Sequence, residues 1–267
     1  PVAGSQAAIQ ALPTLRKLCR VGILEPTYAE HRLAWERAGH QLVSVTTELL
    51  PACLDQLDVL VVVNPNNPTG QLLNSELLLN WHQRLVSRGG WLVVDEAFMD
   101  PTPEYSLSAH SHAPGLIVLR SLGKFFGLAG LRLGFVLAEE QLLAVLEERL
   151  GPWAVSGPAR AVGRSVLADR LTQQLWRSRL HMDSQRLRRL LDAVGLASGA
   201  GCGLFQWRLL GQQSAQQLYK DLASRGVLVR VFNELGGLRF GLPRSEAQWQ
   251  RLESALRDSM KELAWAV

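Results

Sequence analysis

Apolar residues recur along this chain in two rhythms. Short runs rich in valine, leucine and isoleucine, "CRVGILE", "HQLVSVT", "DVLVVVN", "GWLVVDEA", "GLIVLRS" and "GFVLA", predict six strands between residues 19 and 138. Between them, residues 28–38 and 75–88 carry the 3.6-residue spacing of helices, the second with Asn74 or Ser75 as its N-cap. Strand alternating with helix is the pattern of an α/β protein with a mostly parallel sheet. The unbroken apolar run from Val59 to Val63 predicts a strand buried on both faces.

The rhythm changes after Leu150, where "GPWAVSGPAR" supplies two glycines and two prolines and predicts a hinge or domain crossing. One long helix is expected over 159–194. "GLASGAGCG" is too glycine-rich for regular structure, whereas "GLFQWRLL", "GVLVRVF" and "GLRFGLP" read as strands, with helices near 214–225 and over 245–263. The expected organisation is a large domain over 1–152 and a smaller α+β domain over 153–267. The opening "PVAGSQAAIQAL" reads as a loop entering a helix in mid-domain, so an N-terminal stretch of the natural chain is expected to be missing.

Composition narrows the class. With 47% hydrophobic and 19% charged residues the chain is globular rather than disordered, and no apolar run approaches the ~18–20 residues that span a bilayer. A cytoplasmic protein is expected. Three cysteines at wide spacing indicate no disulfide framework or zinc site and read as buried thiols; His31, His82, His110 and His112 share no metal-ligand spacing and read as surface or capping residues. The net charge of +4 reflects an arginine-rich helical face over 175–194, which solvation accounts for without nucleic acid.

Chemistry concentrates where the strands end, the place at which open parallel sheets bind ligands. Asp95 closes four apolar positions and needs a cation or several donors there. Lys124, after a Ser-Leu-Gly turn and before two phenylalanines, is expected to be partly desolvated, which favours a neutral, nucleophilic amine. Gly4, Ser5 and Gln6 open a helix whose free N–H groups suit an anion, and Arg132 offers a bidentate fork to the same charge. Lys124 and Arg132 stand in "SLGKFFGLAGLRLGF", a segment without a single acid, so a ligand has to supply the negative charge; without it the segment is expected to be strained or mobile, and with it ordered.

"NNPTG", "DEAF" and "SLGKFFGLAGLRLGF", in this order, resemble the fold-type I pyridoxal-phosphate enzymes of the aminotransferase class I/II family across nearly the whole chain. The resemblance implies that fold, with a mostly parallel sheet of the seven-stranded type, a homodimer, and pyridoxal 5'-phosphate as cofactor. It implies that Lys124 holds the cofactor covalently and moves the substrate proton, and that Asp95 pairs with the pyridinium nitrogen. Asn67 would bond the phenolic oxygen, Tyr28 would stack on the ring, and Ser121 and Arg132 would grip the phosphate with Gly4, Ser5 and Gln6. Arg239 matches the residue that clamps the substrate carboxylate, and Trp153 and Asn233 are weaker candidates beside the substrate.

Phe98 stands where the family usually has tyrosine, and a phenylalanine cannot donate to the phenolic oxygen. With "EPTYAEH" and "PWAVSGPA" this resembles the cobalamin-pathway branch near the histidinol-phosphate aminotransferases. The implied reaction is decarboxylation of a small phosphorylated amino acid, L-threonine O-3-phosphate, to (R)-1-aminopropan-2-ol phosphate. The alternatives are transamination of the histidinol-phosphate type and, further off, a ligand-sensing domain of a transcription regulator. Neither membrane nor nucleic acid is an expected partner.

Overall fold

A computed structural model describes the backbone of residues 1–196 and 199–264. The chain divides into two compact units, Pro1–Asn67 with Leu72–Gln174, and Pro68–Gln71 with Leu175–Val267.

All six strands expected in the first half form: β1 Arg20–Leu24, β2 Gln41–Val45, β3 Val59–Val63, β4 Trp91–Asp95, β5 Leu116–Ser121 and β6 Gly134–Leu137. Their order is β2-β1-β3-β4-β5-β6, parallel throughout except for the antiparallel β5–β6 pair. Among the described residues this sheet has six strands rather than seven, although Val2 bridges to Gly134 at its β6 edge. The helices of this unit are α1 Ser5–Ala11, α2 Ala29–Arg37, α3 Leu50–Cys53, α4 Ser75–Val86, α5 Glu140–Leu150 and α6 Gly157–Ala168. Asn74 caps α4 by accepting from the Glu76 N–H at 2.8 Å.

Strand alternation explains how one apolar run feeds two cores. Val59 and Val61 pack with Val21, Ile23 and Trp35 on one face, while Leu60 and Val62 pack with Leu78, Trp81 and Leu85 of α4 on the other. Burying both faces leaves the sheet's strand ends as the places where polar side chains can collect.

The long helix expected over 159–194 is two helices, α6 and α7 (Arg170–Ala193). Asp169 breaks it: its ψ of 75° leaves the helical region, and its carboxylate accepts from the Thr172 N–H at 3.0 Å to start α7. The second unit carries a four-stranded antiparallel sheet, β7 Gly199–Cys202, β8 Phe205–Leu209, β9 Arg230–Phe232 and β10 Gly237–Gly241, in the order β7-β8-β10-β9, with α8 Gln212–Ser224 and α9 Glu246–Ala264. Leu187 and Leu191 of α7 join Leu218, Leu238, Phe240 and Leu256 in its core.

Strand β7 corrects the expectation that "GLASGAGCG" is irregular, except for residues 197 and 198, which lie outside the described residues. Its glycines are compatible with a strand because the neighbour is so close: a Cβ on Gly199 would come within 2.1 Å of the Trp207 carbonyl oxygen. The cysteines are corrected in part: Cys19 and Cys53 are half-buried rather than enclosed, whereas burial pushes the Cys202 thiol up to about 11. Among the described residues no helix is long and apolar enough to cross a membrane, and no cluster of three or more His, Cys, Asp or Glu side chains is placed to hold a metal.

Candidate active site

A cavity of about 480 Å³ opens at the carboxyl ends of β3, β4 and β5, with all its walls in the first unit. Because β6 runs antiparallel, the residues that precede it reach the same end of the sheet. The cavity brings together ten of the residues singled out from sequence: Gly4, Ser5 and Gln6 from the α1 entry, Tyr28 from the start of α2, Asn67 after β3, Asp95 and Phe98 at β4, Ser121 and Lys124 at β5, and Arg132 before β6.

Asp95 ends β4 and is 3% exposed. Its Oδ2 lies 2.9 Å from His31 Nε2, and its Oδ1 accepts from the Ala97 N–H at 3.0 Å. Both oxygens therefore have partners within the protein itself. His31, 1% exposed, and His82, which reaches the Pro114 carbonyl at 2.8 Å, are buried, which overturns the surface reading of both. Sequence did carry a signal for His31: it lies three residues after Tyr28, on the same side of α2, and the two rings meet edge-on with centroids 6.3 Å apart. Burial raises the Tyr28 phenol above its ordinary value, with Glu30 and Asp95 adding to the shift.

Lys124 is exposed rather than desolvated, with its Nζ 5.3 Å from the centre of the Phe98 ring. Phe125 and Phe126 beside it are buried and anchor the turn, and Lys124 itself lines the cavity. Ser121 Oγ accepts from the Gly123 N–H at 3.2 Å and shapes the same turn.

Where the α1 entry meets the segment before β6, Arg132 has a φ of 52°, a left-handed conformation that ordinary side chains avoid. Its Nη1 donates to the Ala129 carbonyl at 3.2 Å, and the guanidinium lies against Gly4 so closely that a Cβ there would sit 2.5 Å from Nη2. The segment carrying Gly4 is fixed to the sheet through reciprocal bonds between Val2 and Gly134 at 2.9 and 3.0 Å. Gln6 donates to Glu30 Oε2 at 2.8 Å, and Glu30 itself lines the cavity. Sequence reading passed over this acid.

Asn67 is half-buried on its loop. The loop is braced by Asn64, fully buried, whose amide donates to the Leu73 carbonyl at 3.2 Å and accepts from the Leu73 N–H at 2.8 Å. Trp153, 95% exposed, does not line the cavity, and Asn233 belongs to a short turn of the second unit.

Arg239, matched from sequence to the carboxylate clamp, stands on β10 of the second unit directly opposite Arg230 on β9. Its guanidinium lies 5.0 Å from the Phe205 ring centre and 5.8 Å from that of Phe232. Burial lowers its pKa, and the Arg230 charge pushes the same way. Two like charges directly opposed across a ladder are unfavourable.

The model of the family described as aminotransferase class I and II matches residues 1–256. Threonine-phosphate decarboxylase of Pseudomonas aeruginosa is 56% identical over 256 residues, covering 96% of this chain and 77% of the relative. A threonine-phosphate decarboxylase of Sinorhizobium sp is 40% identical over 262 residues, with 96% and 76% covered. Among solved structures, histidinol-phosphate aminotransferase of Sinorhizobium meliloti in complex with pyridoxal-5'-phosphate superposes with a TM-score of 0.88 at 21% identity, covering 98% of this chain and 76% of that one, which is a likeness of fold.

Proposed function

This chain belongs to the aminotransferase class I and II family, and we infer that it is a pyridoxal-phosphate-dependent lyase acting on L-threonine O-3-phosphate. It releases the carboxyl group as carbon dioxide and leaves (R)-1-aminopropan-2-ol phosphate, a step of cobalamin biosynthesis. The likeness to the Pseudomonas aeruginosa enzyme along almost the entire chain carries this reading. Homodimeric assembly and a cytoplasmic location belong to the same proposal.

The residues present fit the cofactor. A doubly held carboxylate, a cavity-lining lysine amine and a guanidinium folded over a side-chain-free Gly4 provide partners for a ring nitrogen, an aldehyde and a phosphate in one cavity. Bound there, pyridoxal phosphate supplies an electron sink for the pair left when a bond to the substrate's Cα breaks. Asp95, fixed by His31 and Ala97, would favour positive charge on a ring nitrogen bound beside it. Arg132 and Ser121, with Gly4, Ser5 and Gln6, would hold the phosphate, Asn67 the phenolic oxygen and Tyr28 the ring face. Phe98 contributes an apolar wall and no proton.

Lys124 Nζ would hold the cofactor and, once displaced by substrate, would be free to carry a proton to Cα. In the net reaction the Cα–carboxylate bond breaks, carbon dioxide leaves and one proton is added at Cα. Which Cα bond breaks depends on how the substrate's anionic groups are held, and Arg239 is proposed to take the carboxylate.

Incubation with L-threonine O-3-phosphate and pyridoxal phosphate is expected to release carbon dioxide and aminopropanol phosphate in equal amounts, with no glutamate formed when 2-oxoglutarate is added. Glutamate production without carbon dioxide would replace this reading with transamination.

A further inference from the structure

Directly behind the cavity wall, one residue out of step with it, lies a buried charge network for which the reaction above has no use. Asp95, Ala97 and Ser121 line the cavity; Glu96 and Arg120, which alternate with them along the ends of β4 and β5, do not. Arg120 Nη1 donates to Glu96 Oε2 at 3.3 Å and to Ser106 Oγ at 3.0 Å, while Nη2 donates to Asp100 Oδ1 at 2.5 Å. Glu96 is fully buried, accepting from the Leu107 N–H at 2.7 Å and from the Ser106 hydroxyl at 2.5 Å.

This guanidinium therefore ties β5 to residues 96, 100 and 106 of the loop that follows β4. The same loop contributes Ala97 and Phe98 to the cavity, and its Ala97 N–H holds one oxygen of Asp95. We propose that Arg120 is a positioning residue for the cofactor site, setting the Asp95 carboxylate and the Phe98 wall through Glu96, Asp100 and Ser106. Two carboxylates share this one fork, and removing it exposes each to the other inside the protein. Burial already raises the Glu96 carboxyl above its usual range, with the Arg120 charge among the influences that oppose the rise. A lysine can meet one carboxylate but cannot span both as a planar fork does.

The inference rests on the cofactor part of the proposed function and not on its substrate, so its test uses pyridoxal phosphate alone. Arg120→Met and Arg120→Lys proteins freed of cofactor would be titrated with pyridoxal phosphate, following tryptophan fluorescence and the circular dichroism of the bound cofactor, alongside urea unfolding. Arg120→Met is expected to weaken binding by about ten- to a hundredfold, the scale for losing outer support of a bound group, and to change the dichroic band. Arg120→Lys is expected to fall between it and the parent, and decides the matter if the methionine variant does not fold. Folded variants that lose stability yet bind the cofactor with the parent's affinity and dichroism would reduce Arg120 to a structural ion pair and overturn the proposal.

Discussion

Replacing Lys124 with alanine is expected to cut carbon dioxide release from L-threonine O-3-phosphate by about a thousandfold or more, because one amine serves both as cofactor anchor and as proton carrier. Circular dichroism and urea unfolding of the variant are expected to match the parent's. Lys124 is exposed, and the buried Phe125 and Phe126 and the Ser121–Gly123 bond hold the turn around it. Mass spectrometry after borohydride reduction gives a second measurement: the parent should carry a cofactor adduct on the peptide containing Lys124, and the alanine variant none. An adduct on another lysine, or a variant that keeps a substantial part of the parent's rate, would show that this residue has been misassigned.

Asp95→Asn is expected to lower kcat by about a hundred- to a thousandfold, the range for removing a preorganised charge from an enclosed site. The asparagine keeps the size of the side chain and one carbonyl oxygen to accept from Ala97, so the change tests charge rather than shape. His31→Ala is the companion. It leaves the carboxylate in place but removes its 2.9 Å neighbour, and should cost less, about tenfold, since the Ala97 N–H still holds the other oxygen. Single-turnover rates with cofactor at saturation separate these losses from weakened binding. Equal losses in the two variants would mean that His31 contributes as much as the charge it supports.

Much of the fold is legible in the sequence because the sheet is buried on both faces. Val59–Val63 can only be a central strand, and the polar residues that interrupt such runs mark the strand ends. The cavity's cationic side could be read for a similar reason, since Lys124 and Arg132 appear without acids nearby. Features set by distant partners were harder to read. His31 meets Asp95 across 64 residues of sequence, and its burial follows from the packing of α2 against the sheet. The partner of Gln6 is 24 residues away, so Glu30 gave no local hint of belonging to the site. Helical periodicity runs on through 159–194, and a lone aspartate at 169 with a threonine three residues later is a faint stop signal. In β7 the glycines that normally argue against a strand are there because β8 comes too close for a side chain.

Arg132 has a consequence for anyone selecting improved versions of this enzyme. Its left-handed backbone, at a φ of 52°, costs about 1 kcal/mol that a glycine would not incur. A search for heat-tolerant variants should therefore favour Arg132→Gly, and a search for turnover should discard it, because the guanidinium would be lost with the strain. Measuring melting temperature and cofactor affinity on that one variant should show them moving in opposite directions. If they do, this position marks a place where selection for catalysis has held the chain away from its most durable sequence.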